Sequence, residues 1–193
     1  MKPKVTKKYL ELFIQNSLQK VLEVLFRYPE KEFSLSDLAK EARVAKPHIG
    51  AILSELERLG FITITKLTKI WRIKANQQSG NFIKSKIVYN LNFMCQSGLV
   101  EFLNEHFGNP KAVILFGSFR KGEDFSTSDI DIAIETDETE EYKTMGLRIL
   151  TNFEQEIDRK IQIHLFNQKN VDNYVFNNIA NGIVLSGFLE VKS

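Results

Sequence analysis

Two carboxylates, Asp129 and Asp131, stand two residues apart at the head of an apolar run that continues through Ile134. Side chains two apart on a strand share one face. A pair of like charges on one face of an otherwise buried strand is costly unless a cation sits between them. A second apolar run, Ala112–Phe116, leads straight into Gly117 and Ser118, and ten residues separate Ser118 from Asp129. Both runs read as buried strands. Gly117 has no side chain, so its backbone can approach a phosphate closely. Ser118 and the amides after it open a helix, whose N–H groups and dipole favour an anion. Mg²⁺ prefers such carboxylate oxygens and completes its shell with water and substrate phosphates. The alternative for this stretch is a turn followed by a carboxylate pair on an edge strand.

The pattern comprises Leu115-Phe116-Gly117-Ser118, Lys121-Gly122-Glu123 and Ser128-Asp129-Ile130-Asp131-Ile132. It resembles the minimal nucleotidyltransferases of the polymerase-beta-like superfamily, over about Gly98 to Leu189. The resemblance implies transfer of a nucleoside monophosphate from an NTP, with ATP the expected one, to an acceptor, releasing pyrophosphate. It assigns triphosphate binding to Gly117 and Ser118, metal binding to Asp129 and Asp131, and a phosphate contact to Lys121. Asp129, Asp131 and Ser118 are then the catalytic set, with Mg²⁺ as the metal. Relatives of this kind modify antibiotics or partner proteins such as HEPN-type toxins. The chain has no evident small-molecule module, which favours a macromolecular acceptor.

One departure matters. Active relatives bring a third carboxylate from a later strand, and the matching run here is Arg159–Leu165. Alternation puts Lys160, Gln162 and His164 on one face. Gln162 occupies the acidic slot, and an amide cannot act as a base at neutral pH. Three outcomes are open: His164 replaces the base, the site works slowly with two acids and the nucleotide itself, or it binds Mg-nucleotide without transfer. Asp158, just before the strand, reads as a solvated loop residue.

The amino-terminal part carries a different pattern. Apolar residues recur at helical spacing from Lys7 to Arg27, a stripe that packs a core or forms a homodimer seam. A short extended piece at Phe33–Leu35 follows. Then come a helix capped by Ser36 and running to Ala42, a connection at Arg43–Ala45, a helix from Lys46 to Leu59, and β-like runs at Phe61–Thr65 and Ile70–Lys74. Leu35–Ile62 resembles the winged helix-turn-helix family. That resemblance implies a third helix in a DNA major groove and a hairpin on the backbone. Lys46 and His48 at the helix start, and Lys66, Lys69 and Arg72 on the hairpin, are the expected DNA-binding residues, with Lys74 behind them.

Charge agrees with two modules. Residues 1–78 hold fifteen Lys/Arg against eight Asp/Glu, and residues 79–193 hold eleven against sixteen. A basic half joined to an acidic half suggests different partners. The polar stretch Ala75–Gly80 marks the boundary. Residues 1–78 form the winged helix-turn-helix domain, and 79–193 the nucleotidyltransferase domain, with connecting helices over 79–108. Helical patterns at 81–93, 98–106 and 138–159, strands at 160–166 and 183–185, and a helix at 171–181 complete the second module. The fold class is α+β: a winged helix-turn-helix domain, then a small α/β nucleotidyltransferase domain with a mixed sheet. The one cysteine, Cys95, excludes an internal disulfide and fits a reducing cytoplasm, and no apolar run is long enough to cross a membrane.

Overall fold

The computed structural model describes residues 16–67, 70–169 and 171–191. Leu10, Phe13 and Ile14 of the first expected helix, and Lys69 of the hairpin, lie outside the described residues. The chain divides into two compact units, with the division between Tyr89 and Asn90.

The amino-terminal unit is built from α1 (Ser17–Arg27), β1 (Glu32–Phe33), α2 (Leu35–Glu41), α3 (Lys46–Arg58), β2 (Ile62–Leu67) and β3 (Ile70–Ala75). Asn16 and Gln19 close a capping box at the start of α1. Helix α2 begins two residues earlier than its sequence suggests. Its cap is Ser34, whose Oγ accepts from the Asp37 amide, and not Ser36, which is exposed within the first turn. Ser34 prevails because it alone stands three residues ahead of an amide that needs an acceptor. Arg43 takes up a left-handed conformation (φ 52°) in the tight connection to α3, where Pro47 sits in the first turn. Strands β1, β3 and β2 form an antiparallel sheet in that order. Its core gathers Val21, Leu25, Leu38, Ile49, Leu53, Leu56 and Ile73, all essentially inaccessible. Helices α1–α3 with a three-stranded wing constitute a winged-helix arrangement.

Helix α4 (Gly80–Gln96) extends beyond the 81–93 pattern at both ends, and the unit division falls inside it. The polar stretch before α4 does not separate the units because Phe82 belongs to the amino-terminal core, stacked obliquely on Phe26 at 5.2 Å.

The second unit contains α5 (Leu99–His106), β4 (Ala112–Phe116), α6 (Gly117–Lys121), β5 (Ile130–Glu135), β6 (Lys143–Gly146), a 3₁₀ turn (Arg148–Leu150), α7 (Thr151–Ile157), β7 (Ile161–Phe166), α8 (Asn173–Ala180) and β8 (Ile183–Gly187). Its five strands run in the order β6-β7-β5-β4-β8, and only β5 and β7 are parallel, so the sheet is mixed. Alternation divides the sheet into two faces. Ile114, Phe116 and Ala133 pack with Ile179 of α8 on one face. Val113, Leu115, Ile132, Ile134 and Ile163 are buried on the other. The helical pattern read over 138–159 holds only for its last part. Residues 143–146 are instead an edge strand, paired antiparallel with β7. A four-residue exposed strand carries no apolar alternation of its own, and the partner strand alone makes it one.

At the far end of β5, Glu135 is buried, and desolvation pushes its carboxyl above the ordinary range against the pull of Lys111 and a hydrogen bond from Gln168. A carboxyl raised in this way stabilises the fold while protonated and loses that contribution as pH rises through its folded-state pKa. Glu135→Gln is therefore expected to raise the melting temperature at pH ~7, with the gain vanishing below about pH 4; thermal melts across that range measure it.

Candidate functional site

The strand-to-helix corner after β4 sets the geometry. Phe116 and Asp131 are directly paired across β4 and β5, so the chain leaving β4 turns immediately beside that carboxylate. Gly117 makes the turn with φ 73°, in the left-handed region where a side chain is strained. A Cβ at Gly117 would lie 2.2 Å from Asp131 Oδ2. Only glycine lets the backbone and the carboxylate come this close. Ser118 follows as the second residue of α6, and Gly122 ends the helix with φ 70°.

Helix α6 is anchored from behind. Asn90 Nδ2 donates to the Phe119 carbonyl at 2.7 Å and to Asp124 Oδ1 at 3.0 Å, both in the interior. Arg159 lies 3.6 Å from the other oxygen of Asp124, with both side chains nearly inaccessible. Such a buried polar cluster holds the corner because breaking any member strands a desolvated charge.

Asp131 has a side chain 23% exposed, and its Oδ1 accepts from His164 Nε2 at 3.1 Å. His164 Nδ1 meets the Tyr142 hydroxyl, with Thr144 Oγ1 at 3.4 Å. The His164 ring is edge-on to Phe116, with centroids 4.8 Å apart. Neither imidazole nitrogen is left free, so His164 is not placed to take a proton from an acceptor. Gln162 is the register partner of Asp131 on β7. Asp129 is exposed just before β5, after a turn in which Ser128 Oγ accepts from the Phe125 amide. Asp158 is the exposed left-handed cap of α7.

Two cavities meet this strand end. One, of about 510 Å³, is lined by Phe116, Gly117, Arg120, Lys121, Tyr142 and residues of α8. The other, of about 350 Å³, includes Asp129, Arg148, Thr151, Lys160 and Gln162. Gly117 and Lys121 share the first cavity, beside Asp131, while Asp129 and Gln162 share the second. Arg120 and Tyr142 escaped the sequence reading. Arg120 had a signal, since it sits one residue from Lys121 on the same short helix. Tyr142 had none, because β6 is legible only through its pairing. Among the described residues no cluster of three or more His, Cys, Asp or Glu side chains is arranged to hold a metal. The Asp131 carboxylate and the Gln162 amide are register partners, with Asp129 two residues before Asp131. Oxygen donors of these types suit a hard cation that takes one or two protein carboxylates and fills its shell from water and phosphate.

Residues 98–187 match the family described as Polymerase beta, Nucleotidyltransferase. A domain of this kind uses an NTP and a divalent metal. No curated protein matches the chain. Among solved structures, the chain is similar to MepR, a transcription regulator of the Staphylococcus aureus multidrug efflux pump MepA. The identity is 19%, covering 52% of this chain and 74% of that one, with a TM-score of 0.38. A structure of the S. aureus MepR–DNA complex aligns at 21% identity, over 53% and 81% of the two chains, with a TM-score of 0.37. Reduced HlyU from Vibrio cholerae aligns at 14% identity, over 51% and 83%, with a TM-score of 0.30. Likeness at this level decides nothing about function.

In the winged-helix unit, Lys46 and His48 are exposed in the first turn of α3. On the wing, Lys66 Nζ lies 4.7 Å from the centre of the Trp71 ring, and Arg72 faces Glu32 at 3.8 Å in a solvent-exposed pair. Among the described residues no helix is long and apolar enough to cross a membrane.

The Gly117 contact gives a direct test. Gly117→Ala must push Asp131 aside or unfold the left-handed turn, so it is expected to cost about 1–3 kcal/mol in stability. It should also abolish metal-dependent nucleotide binding, as read by urea denaturation and calorimetric titration; a variant with unchanged stability and binding would contradict the geometry.

Proposed function

We propose that the carboxyl-terminal nucleotidyltransferase domain transfers a nucleoside monophosphate from Mg-NTP to a macromolecular acceptor. The amino-terminal winged-helix domain would bring this activity to DNA. The observation that supports the reading is the Asp131 carboxylate occupying the space a Gly117 side chain would need, at the lip of a cavity carrying Arg120 and Lys121.

In this mechanism the amides of Gly117 and Ser118, with the Ser118 hydroxyl, hold the triphosphate, and Lys121 and Arg120 offset its charge. Asp129 and Asp131 hold Mg²⁺, which supplies charge neutralisation on the phosphates when bound. The acceptor enters by the smaller cavity, past Asp129 and Gln162. Its oxygen bonds to the α-phosphorus while the bond to the bridging oxygen breaks and pyrophosphate leaves. Gln162 orients but takes no proton. With His164 engaged on both nitrogens, the acceptor proton passes to a phosphate oxygen of the nucleotide, so turnover is slow. ATP is the nucleotide we favour, and a protein acceptor such as a HEPN-type toxin the acceptor class. The lone Cys95 accords with a cytoplasmic setting.

A second reading rests on Gln162: a transcriptional regulator whose carboxyl-terminal domain senses Mg-nucleotide, or dimerises, without transfer. Incubation with labelled NTPs, Mg²⁺ and candidate acceptors separates the two. Label transfer that Asp129→Ala/Asp131→Ala abolishes, by about 10³-fold or more, marks the enzyme. Tight nucleotide binding without transfer marks the sensor.

Lys46, His48, Lys66 and Arg72 are the proposed DNA contacts, with Lys69 of the hairpin tip among them. If they neutralise phosphates, the affinity for duplex DNA falls linearly with the logarithm of salt, and Lys66→Ala lowers the slope by about one unit. Absence of binding even at low salt would remove this part of the proposal.

A further inference from the structure

We propose that His164, held between Asp131 and Tyr142, is a positioning residue for Asp131, orienting the carboxylate that holds the divalent ion in a site without a third acid. The inference rests on the nucleotidyltransferase reading above.

An ionised carboxylate only accepts hydrogen bonds, so the proton between Asp131 Oδ1 and His164 must sit on Nε2. In the neutral ring Nδ1 is then an acceptor, and Tyr142 must donate its hydroxyl to it. The chain of donors runs from Tyr142 on β6 through His164 on β7 to Asp131 on β5. Each step has a steric reason. His164 stands opposite Ala133, not opposite Asp131, and the small alanine leaves space for the imidazole to lean along the sheet to the neighbouring carboxylate. Phe116, paired with Asp131, meets the ring edge-on at 4.8 Å and blocks its rotation. The His164 side chain is only 10% exposed, so water competes little for these bonds.

The result is that both oxygens of Asp131 have assigned places. Oδ1 is tied to His164, and Oδ2 faces the Gly117 turn. Partners that orient a metal ligand set affinity through geometry even though they never touch the metal. The residue beside Asp131 in register is a neutral amide, Gln162, so no second carboxylate on β7 shares the task. Tyr142 also lines the 510 Å³ cavity, on the side where the nucleotide would lie.

The test uses the full chain with Mn²⁺ as the probe, followed by electron paramagnetic resonance with and without ATP. Metal-free ATP affinity and melting temperature are measured alongside. His164→Leu is expected to weaken Mn²⁺ binding by about tenfold or more, with metal-free ATP affinity unchanged. His164→Gln keeps an amide donor within reach of Oδ1 and should recover most of the loss. Tyr142→Phe removes the anchor on the far side of the ring and should fall between. Wild-type Mn²⁺ affinity in His164→Leu overturns the proposal, as does a His164→Gln variant as weak as His164→Leu. Where His164→Leu fails to fold, Tyr142→Phe decides alone: unchanged Mn²⁺ affinity overturns the proposal. A wild-type chain that binds neither Mn²⁺ nor ATP fails differently, removing the nucleotidyltransferase reading and this inference with it.

Discussion

The pairing of Phe116 with Asp131 is the constraint on which the carboxyl-terminal unit turns. It ends β4 at the point where β5 presents its carboxylate, so the left-handed turn at Gly117 has to form against that oxygen. A slip of one residue would turn Asp131 into the face that buries Leu115, Ile132 and Ile134. An unpaired carboxylate there costs several kcal/mol, far more than any single strand pairing returns. The apolar content of β4 and β5 therefore specifies the register, and the register places the site. The parallel neighbour β7 extends the same logic, since its alternation leaves only Gln162 and His164 facing Asp131.

What could be read from the residues follows from the range of the interactions. The strands at Ala112–Phe116 and from Ile130, and the glycine between them, are local patterns, and their spacing determines where chain reversal and carboxylates meet. The winged-helix elements are legible for the same reason: periodicity, Pro47 and Gly60 mark α3 from both ends. Ser34 against Ser36 at the start of α2 is a closer contest, because both are good caps and only the position of the Asp37 amide separates them. The strand at Lys143–Gly146 has no such local mark. Its hydrogen bonds go to β7, twenty residues further on, and with it Tyr142 was hidden as a partner of His164. The domain division shows the same limit, since the composition changes at Ala75–Gly80 while Phe82 still packs into the amino-terminal core.

The two units use charge in different ways. Lys46, His48, Lys66 and Arg72 of the winged helix are exposed, and Lys66 and Arg72 have weak partners: a cation over Trp71 and a 3.8 Å pair with Glu32. Exposed pairs of this kind contribute little to stability, so they can be exchanged for phosphate at small cost. Behind α6 one charged pair is buried. Asp124 and Arg159 are withdrawn from water, and Asn90 bridges Asp124 to the Phe119 carbonyl. A site that must hold a carboxylate to within a fraction of an ångström needs such support, because a side chain on a mobile loop cannot maintain it.

His164 completes that contrast. A histidine beside a carboxylate invites reading as a base, and the loss of an acid at Gln162 strengthens the invitation. Bond directions argue otherwise. A base needs a lone pair facing the acceptor, whereas Asp131 requires a proton on Nε2 and Tyr142 occupies Nδ1. The imidazole is therefore a link between two fixed groups. Its effect on chemistry passes through the orientation of Asp131, which makes the precision of one carboxylate, more than the number of acids, the quantity that this site controls.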